Sequence, residues 1–216
     1  MIKGVIFDLD GTITDSMQIW DNILCEFCIA HKIKINPDVK ETIRTMSLSQ
    51  SSVDIKNICS VPLSAAEIKN EWENSSYRKY AYEIPAKPGA LKTVKELYKK
   101  GIKMCVATSG FRKSTEAVLK RLGILNLFDF IITSDETGTN KSKPDIFLKA
   151  AEKLSLPNSS CLVIEDSAVA VETAKKEGFK ICAVSDSLQT EENRSRLKNT
   201  ADLFTDDMSI ILNYLK

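Results

Sequence analysis

The sequence predicts an α/β fold, with a parallel sheet core into which an all-helical domain is inserted near the start of the chain. From residue 85 onward, short apolar runs alternate with helical patterns, which is typical of a parallel sheet covered by helices on both faces. Between residues 16 and 84, apolar residues recur at three- and four-residue spacing, and no strand-like alternation interrupts them. We therefore expect an α/β core of residues 1–15 and 85–216 and a helical domain of residues 16–84.

The first predicted strand covers residues 5–7 and ends at two acidic residues, Asp8 and Asp10. Because side chains two apart on a strand point the same way, both carboxylates project from its end while Leu9 turns into the core. Two like charges this close repel unless a cation lies between them or one keeps a proton. A surface turn or part of a calcium loop would share this pattern. A calcium loop needs further oxygen ligands at fixed spacing, however, and Ile13 interrupts them.

Helical signals fill the inserted segment. An apolar stripe that begins at Ile19 predicts the first helix, and residues 37–43 carry the pattern of a second. Residues 47–52 are polar and predict a break in the helices. Ser64 then precedes Glu67 by three residues, which is the spacing of a capping box at the start of another helix.

Beyond a break at residues 85–89 that contains Pro and Gly, helices and strands alternate along the rest of the core. The predicted helices cover residues 90–100 and 114–122, a stretch from 144 to before 157, and a stretch that follows 167 and ends at 178. The predicted strands cover residues 102–107, 130–133, 161–164 and 181–184.

The composition limits the possible functions. The chain has 216 residues, 43% hydrophobic and 27% charged, which is enough for one sizeable core and a smaller domain. Its 30 basic and 29 acidic residues nearly cancel, which gives no electrostatic case for nucleic acid or an anionic membrane as partner. No apolar run approaches the roughly 18 residues of a membrane span, and no charged-then-apolar leader precedes the first strand. We expect a soluble, cytoplasmic monomer.

Polar side chains follow several of the predicted strands, and in parallel sheets the carboxyl ends of the strands hold the functional site. The candidates, which include one lysine from a loop, are Asp8, Asp10, Thr108, Ser109, Gly110, Lys141, Glu165 and Asp166. Asp8 is suited to attack phosphorus, and Asp10 is suited to give a proton to the leaving oxygen and later to take one from water. These residue types together suit phosphoryl transfer.

The same candidates offer a metal site and a phosphate site. Hard carboxylate oxygens of Asp8 and Asp166, with the backbone carbonyl of Asp10, suit Mg²⁺, and Glu165 is a further candidate ligand. The residues expected to hold the phosphate are Thr108, Ser109, Gly110 and Lys141. The lysine would also neutralise charge on the transferring group.

Together these residues resemble, in order, the four motifs of the haloacid dehalogenase-like (HAD) superfamily of aspartate-nucleophile phosphotransferases. The matching stretches are Asp8-Leu9-Asp10-Gly11-Thr12, Thr108, Lys141 and Glu165-Asp166-Ser167. A further stretch, similar to a run of the β-phosphoglucomutase-like subfamily, is Lys141-x-x-Pro144-Asp145-Ile146-Phe147. The resemblance covers nearly the whole chain. It implies a Rossmann-like core with strand order 5-4-1-2-3 and a helical cap that closes over the active site and selects the substrate.

Each motif taken alone also has a structural explanation. A Thr-Ser-Gly sequence is usually a turn, Glu165 and Asp166 could cap the following helix, and Lys143 rivals Lys141 as the motif lysine. Their joint placement at successive strand ends favours the functional interpretation. The Pro-Asp-Ile-Phe run that begins three residues after Lys141 favours that lysine.

The chain departs from the mutases of that subfamily at three places. By resemblance, Trp20 stands at the position where the mutases carry a histidine in the cap hinge. Phe111-Arg112 stands where they carry a Lys-Asn pair in a loop, and Ser49 lies near the position of an arginine in their cap. An indole cannot take a proton as a histidine could. These departures weaken the prediction of a mutase.

We therefore predict a Mg²⁺-dependent phosphatase that hydrolyses small phosphorylated metabolites through an aspartyl-phosphate intermediate. One alternative is a β-phosphoglucomutase-type sugar phosphomutase, in which Arg44, Lys56 or Arg112 compensates for the missing groups. Another is a non-catalytic phosphate-binding module. A dehalogenase or a phosphonate hydrolase is disfavoured, because by resemblance those members lack the second aspartate that Asp10 supplies here.

Overall fold

The structure, a computed structural model, describes residues 1–34, 48–59 and 61–215 of the chain, except for the side chains of residues 48–50. The predicted helix over residues 37–43 lies outside these ranges. None of the helices within them is long and apolar enough to cross a membrane.

The described residues form a single six-stranded sheet, and every pair of neighbouring strands in it is parallel. The strands are β1 Gly4–Phe7, β2 Lys103–Thr108, β3 Phe130–Thr133, β4 Cys161–Glu165, β5 Lys180–Val184 and β6 Leu203–Thr205. Their order is β3-β2-β1-β4-β5-β6, which confirms the predicted α/β class and contains the predicted order, with β6 added beside β5. The sequence pattern misses β6 because three residues are too few to show a period.

Three helices lie in the described part of the inserted segment. They are α1 Met17–Ala30, α2 Leu48–Cys59 and α3 Ala65–Tyr82. The capping box at the start of α3 is confirmed, because the Ser64 hydroxyl accepts from the Glu67 amide and the Glu67 carboxylate accepts from the Ser64 amide. The predicted break at residues 47–52 is wrong from Leu48 onward. Ser51 and Ser52 are buried in α2, where tertiary packing outweighs the modest helix propensity of serine.

These helices share an apolar cluster of their own. Its buried members include Ile23, Phe27, Ile55, Ile68 and Trp72, drawn from all three helices. The rings of Phe27 and Trp72 meet edge to face, with their centroids 5.5 Å apart. Phe111 of the α/β core also belongs to this cluster, which contains no residue of the strands.

The remaining helices cover the sheet on both faces, as predicted. They are α4 Ala90–Lys99, α5 Arg112–Arg121, α6 Ser134–Thr137, α7 Asp145–Leu154, α8 Ala168–Lys176, α9 Glu191–Thr200 and α10 Ile211–Tyr214, with 3₁₀ turns at Leu125–Leu127, Asn158–Ser160 and Met208–Ile210. Alternate residues of β1 face opposite layers: Val5 and Phe7 join the cluster with α4 and α5, and Ile6 joins the cluster with α7 and α8.

The two connections between the inserted segment and the core lie side by side. The Asp15 amide donates to the Pro85 carbonyl over 3.0 Å, and the Lys87 amide donates to the Ile13 carbonyl over 2.9 Å. Arg121 of α5 donates to the backbone carbonyl of Tyr80 at the end of α3. The chain therefore leaves and re-enters the core at one place, close to the carboxyl end of β1.

A buried ion pair joins this re-entry point to the segment after β5. The Lys87 Nζ lies 2.6 Å from the Asp186 Oδ2 and 3.0 Å from the Ser185 carbonyl oxygen, and both charged side chains are buried. The other Asp186 oxygen accepts from the Leu188 amide. This pair fixes the segment after β5 beside the connection to the inserted helices.

Candidate active site

The centre of the site is Lys141, whose Nζ contacts an oxygen of Asp8 and lies 2.7 Å from an oxygen of Glu165. Asp8 and Glu165 stand at the carboxyl ends of the neighbouring strands β1 and β4, and the Asp8 amide donates to the Ile164 carbonyl between them. All three side chains are buried. Lys143, the rival lysine, is exposed, so the structure brings Lys141 and not Lys143 to the strand ends.

The two carboxylates hold Lys141 in its charged form. Burial alone would lower the pKa of Lys141, but the negative charges of Asp8 and Glu165 outweigh burial and raise it above its usual value. A buried ammonium ion is tolerated only when it is paired and hydrogen-bonded, and here two anions share one cation.

Three carboxylates crowd the same point. Asp8, Glu165 and Asp166 each offer an oxygen within 4.8 Å of the others. Burial, and next the charge of Glu165, raises the pKa of Asp8 to about 8, against the opposing effect of Lys141. Burial, and next Glu165 and Asp8, also raises the pKa of Asp166 well above its usual value. The single positive charge of Lys141 therefore does not neutralise the three carboxylates.

The donor set fits a hard divalent cation. Within the described part of the chain, the buried Asp8 Oδ2 has no hydrogen-bond partner. Glu165 uses both of its oxygens on protein donors, one on Lys141 and the other on the backbone amides of Asp166 and Ser167. Asp8 and Asp166 are thus better placed to bind Mg²⁺ than Glu165, which the sequence also suggests as a ligand.

Gly11 allows the chain to pass close to Asp166. Its φ is +79°, and a Cβ built there would lie 2.3 Å from an oxygen of Asp166. Any other residue at this position would therefore clash with the carboxylate and strain the backbone.

Asp10 points away from this cluster and toward the inserted helices. Its Oδ1 accepts a hydrogen bond from the Ser16 hydroxyl over 2.6 Å and another from the phenol of Tyr80. Burial raises the pKa of Asp10, while hydrogen bonds from Ser16, Tyr80 and Trp20 act in the opposite direction. The Asp10 Oδ1 is therefore already used by two protein donors.

Sequence reasoning misses Ser16 and Tyr80. Ser16 lies six residues after Asp10, where a polar residue at the start of a helix gave only a weak signal. Tyr80 lies 70 residues from Asp10 in the sequence, and no local pattern links the two. Asp186 follows β5, so the rule that places a site at strand ends could have found it.

The predicted phosphate-binding turn is only partly at the surface of the site. Ser109 and Gly110 line a cavity above the strand ends, and the Ser109 hydroxyl lies 3.1 Å from that of Ser134. Thr108 is buried behind them, and its hydroxyl oxygen accepts the Gly110 amide over 2.9 Å. In this conformation Thr108 shapes the turn instead of facing the cavity.

The cavity has a volume of about 440 Å³ and is shared by the core and the inserted helices. Among its lining residues from the core are Asp8, Asp10, Lys141, Asp166, Asp186 and Gln189. Among those from the inserted helices are Met17, Trp20, Asp21, Ile23, Leu24 and Trp72. Most of its acidic residues thus lie near the strand ends, whereas the inserted helices contribute mostly apolar side chains together with Asp21.

Two of the three cations suggested as replacements for the mutase groups, Lys56 and Arg112, lie outside the cavity lining. Arg112 pairs with Glu136 and donates to the Ile131 carbonyl, and it does not line the cavity. Lys56 is exposed and also lies outside the cavity lining. Arg44 and the side chain of Ser49 lie outside the described residues.

Comparison with known proteins agrees with the motif pattern. A sequence model described as "Hydrolase: haloacid dehalogenase-like hydrolase" matches residues 2–178. The chain is 31% identical over 195 residues to the Arabidopsis thaliana protein SUPPRESSOR OF QUENCHING 1, chloroplastic, covering 87% of this chain and 18% of that protein. It is 28% identical over 183 residues to the Arabidopsis thaliana bifunctional riboflavin kinase/FMN phosphatase. This match covers 83% of this chain and 48% of that protein. The chain thus spans less than half of either relative.

A third relative is matched over most of its own length. The chain is 30% identical over 188 residues to β-phosphoglucomutase of Bacillus subtilis (strain 168), which covers 82% of this chain and 81% of that protein. This similarity agrees with the resemblance of the run after Lys141 to the β-phosphoglucomutase-like subfamily.

The crowded carboxylates predict how a metal ion affects stability. When folding raises the pKa of a buried carboxyl group, the group stabilises the fold at a pH below its unfolded pKa of about 4. This stabilisation is lost as the pH rises through the folded pKa, which is about 8 for Asp8. Without Mg²⁺, Asp166→Asn should therefore be more stable than the wild type at pH 8, by about 1–2 kcal/mol in urea unfolding. Mg²⁺ should stabilise the wild type more than the variant.

Asp206→Asn is the matched control, because Asp206 is exposed and lies outside the cavity lining. It should leave both the stability and the response to Mg²⁺ unchanged. An Asp166→Asn protein that is less stable than the wild type without Mg²⁺, or that gains as much from Mg²⁺, would contradict the assignment.

Proposed function

We propose, since this chain belongs to the haloacid dehalogenase-like hydrolase family, that it is a phosphohydrolase acting on small phosphorylated metabolites. The observation that carries the proposal is the contact of Lys141 with both Asp8 and Glu165, which holds a buried carboxylate beside a cation at the cavity. The names of two relatives, an FMN phosphatase and a β-phosphoglucomutase, support phosphoryl chemistry.

In the first step, an oxygen of Asp8 attacks phosphorus, and the bond between phosphorus and the alcohol oxygen breaks. Lys141 reduces the repulsion between Asp8 and the negative phosphoryl group. Asp10 gives its proton to the leaving oxygen. Its raised pKa suits this role, because burial favours the protonated form that the step requires.

In the second step, water attacks the phosphorus of the Asp8-phosphate, and inorganic phosphate leaves. Asp10, deprotonated by the first step, takes the proton from water, so that both carboxyl groups return to their starting forms. Ser16 and Tyr80 hold one Asp10 oxygen and position the carboxyl group for both transfers.

Mg²⁺ is the cofactor that the site fits. Asp8 and Asp166, with the backbone carbonyl of Asp10, would hold it, and the bound ion would supply positive charge against the carboxylates and the phosphate. Three buried carboxylates share a single lysine, and the resulting excess of negative charge supports this part of the proposal.

We assign residues 16–84 as a cap over a core of residues 1–15 and 85–216. The cavity supports this division, because its walls come from both parts of the chain. Exclusion of bulk water by a cap would strengthen the electrostatic contacts and protect the phosphorylated Asp8 from untimely hydrolysis. The hinges between the two parts would lie near Asp15 and Pro85, whose backbones are joined by a hydrogen bond.

A sugar phosphomutase is the second candidate, supported by the similarity to β-phosphoglucomutase. A mutase must grip a second phosphate from the cap, yet no cationic side chain from the described part of residues 16–84 lines the cavity. Trp20 lines it where by resemblance the mutases carry a histidine. A non-catalytic module is disfavoured further, because burying three carboxylates without a function would cost stability.

The nucleophile assignment predicts the effect of Asp8→Asn. An amide cannot form the acyl phosphate, so phosphate release from a panel of phosphomonoesters with Mg²⁺ should fall on the order of a thousandfold or more. Circular dichroism should remain that of the wild type, since Lys141 keeps its pair with Glu165. The Asp206→Asn control should keep full activity, and near-wild-type turnover by a pure Asp8→Asn preparation would refute the assignment.

A phosphatase differs from a mutase in that water is the acceptor of the phosphoryl group. Given β-glucose 1-phosphate, a catalytic amount of the 1,6-bisphosphate and Mg²⁺, any reaction should release inorganic phosphate, because the described cap offers no cation for a second phosphate. Phosphate and glucose 6-phosphate are both measured over time. Near-quantitative conversion to glucose 6-phosphate would establish the mutase instead.

A further inference from the structure

We propose that the preferred substrate is the phosphomonoester of a primary alcohol that also carries a planar aromatic ring, with the ring held between apolar side chains of the cavity. This inference rests on the proposed function, because Asp8 and Lys141 fix where the phosphate binds. It concerns the opposite end of the substrate, the part that leaves as the alcohol.

Apolar side chains reach the cavity both from the inserted helices and from the core. Helix α1 contributes Met17 and Trp20, with Ile23 and Leu24 deeper in the same wall. The core contributes Val169 at the start of α8 and Leu188 after β5, which are 37% and 39% exposed. A large apolar side chain that remains exposed beside a catalytic centre is available to contact a ligand.

Both tryptophans of the chain, Trp20 and Trp72, line this cavity. Trp20 is held by neighbouring rings, with its centroid 6.1 Å from that of Tyr80 and 6.2 Å from that of Phe111. Because the indole is already positioned, a ligand ring that packs on it loses little of its binding energy to ordering the protein.

The charges of the cavity argue against a second anionic group on the substrate. Among the described residues, its lining contains two cations, Lys141 and Arg196. Lys141 pairs with Asp8 and Glu165, and Arg196 forms a two-bond pair with Glu172 at 2.8 and 2.9 Å. The lining also includes the acidic residues Asp21 and Asp186. Both of these cations are thus already paired with carboxylates, so a second phosphate would have to compete for them, whereas a neutral ring needs no cation.

The cavity is also large enough for a ring and the chain that joins it to the phosphate. Its volume of about 440 Å³ lies within the range of sites that enclose small organic ligands. A short unbranched sugar phosphate would leave the apolar surface of Trp20, Val169 and Leu188 without an apolar ligand group to contact.

Two matched pairs of substrates test the proposal, and within each pair the phosphate ester is the same and only the ring differs. The pairs are riboflavin 5′-phosphate with ribitol 5-phosphate, and 2-phenylethyl phosphate with ethyl phosphate. With Mg²⁺ present, kcat/KM should favour the ring-bearing member by roughly tenfold or more in at least one pair, because burial of a ring adds apolar contact that its partner lacks.

Variants locate the ring. Leu188→Ser and Val169→Ser change exposed side chains, so both variants should keep the fold. In the favoured pair, each should lower the ratio of kcat/KM between the ring-bearing compound and its partner several-fold. Tyr98→Ser is the control, because Tyr98 is an exposed aromatic residue on α4 that does not line the cavity, and the ratio should stay unchanged.

The outcomes separate this inference from the proposed function. Hydrolysis of all four compounds with ratios near one would overturn the inference and leave the phosphatase in place. A high ratio that neither Leu188→Ser nor Val169→Ser lowers would show that the ring binds elsewhere and would also overturn it. Faster hydrolysis of fructose 1,6-bisphosphate than of every ring-bearing compound would do the same. No hydrolysis of any compound would instead refute the proposed function, and the inference with it.

Discussion

The rest of the site depends on one interaction, the ammonium group of Lys141 between the carboxylates of Asp8 and Glu165. Parallel strands bring their carboxyl ends to one edge, so the sheet itself forces these acids together and buries them. A single lysine from the loop before α7 makes that arrangement tolerable, because removing one partner from a buried ion pair leaves an uncompensated charge. The remaining excess of negative charge suits a metal ion and disfavours a purely structural role.

The second acid is tied to a different part of the molecule. Asp10 accepts hydrogen bonds from Ser16 at the start of the inserted segment and from Tyr80 near its end. The group proposed to move protons is therefore held by the two ends of the proposed cap, where the chain leaves and re-enters the core. Movement of the cap would change the hydrogen bonds of Asp10, and through them its readiness to give up a proton.

The sequence predicts the layered core and the strand-end residues well because both follow from local patterns. An apolar run that stops at Asp8 and Asp10 can be recognised without any partner, and the rule for parallel sheets places Lys141 and Glu165 near them. Tyr80 could not be found in this way, because its contact with Asp10 depends on how α3 packs on α5. The break predicted at residues 47–52 is wrong from Leu48 onward for a similar reason, since burial of Ser51 and Ser52 outweighs their local preference.

The central claim is that Asp8 becomes phosphorylated, and trapping that species tests it most directly. Borohydride reduces an acyl phosphate to an alcohol, so a reaction with a hydrolysed phosphomonoester and Mg²⁺, quenched with borohydride during turnover, should convert Asp8 to homoserine. Peptide mass spectrometry reads the change, and the Asp8→Asn protein and a sample without substrate are the controls. The account predicts homoserine at position 8 only in the wild type with substrate. Continued turnover with an unmodified Asp8, or trapping at another carboxylate, would contradict it.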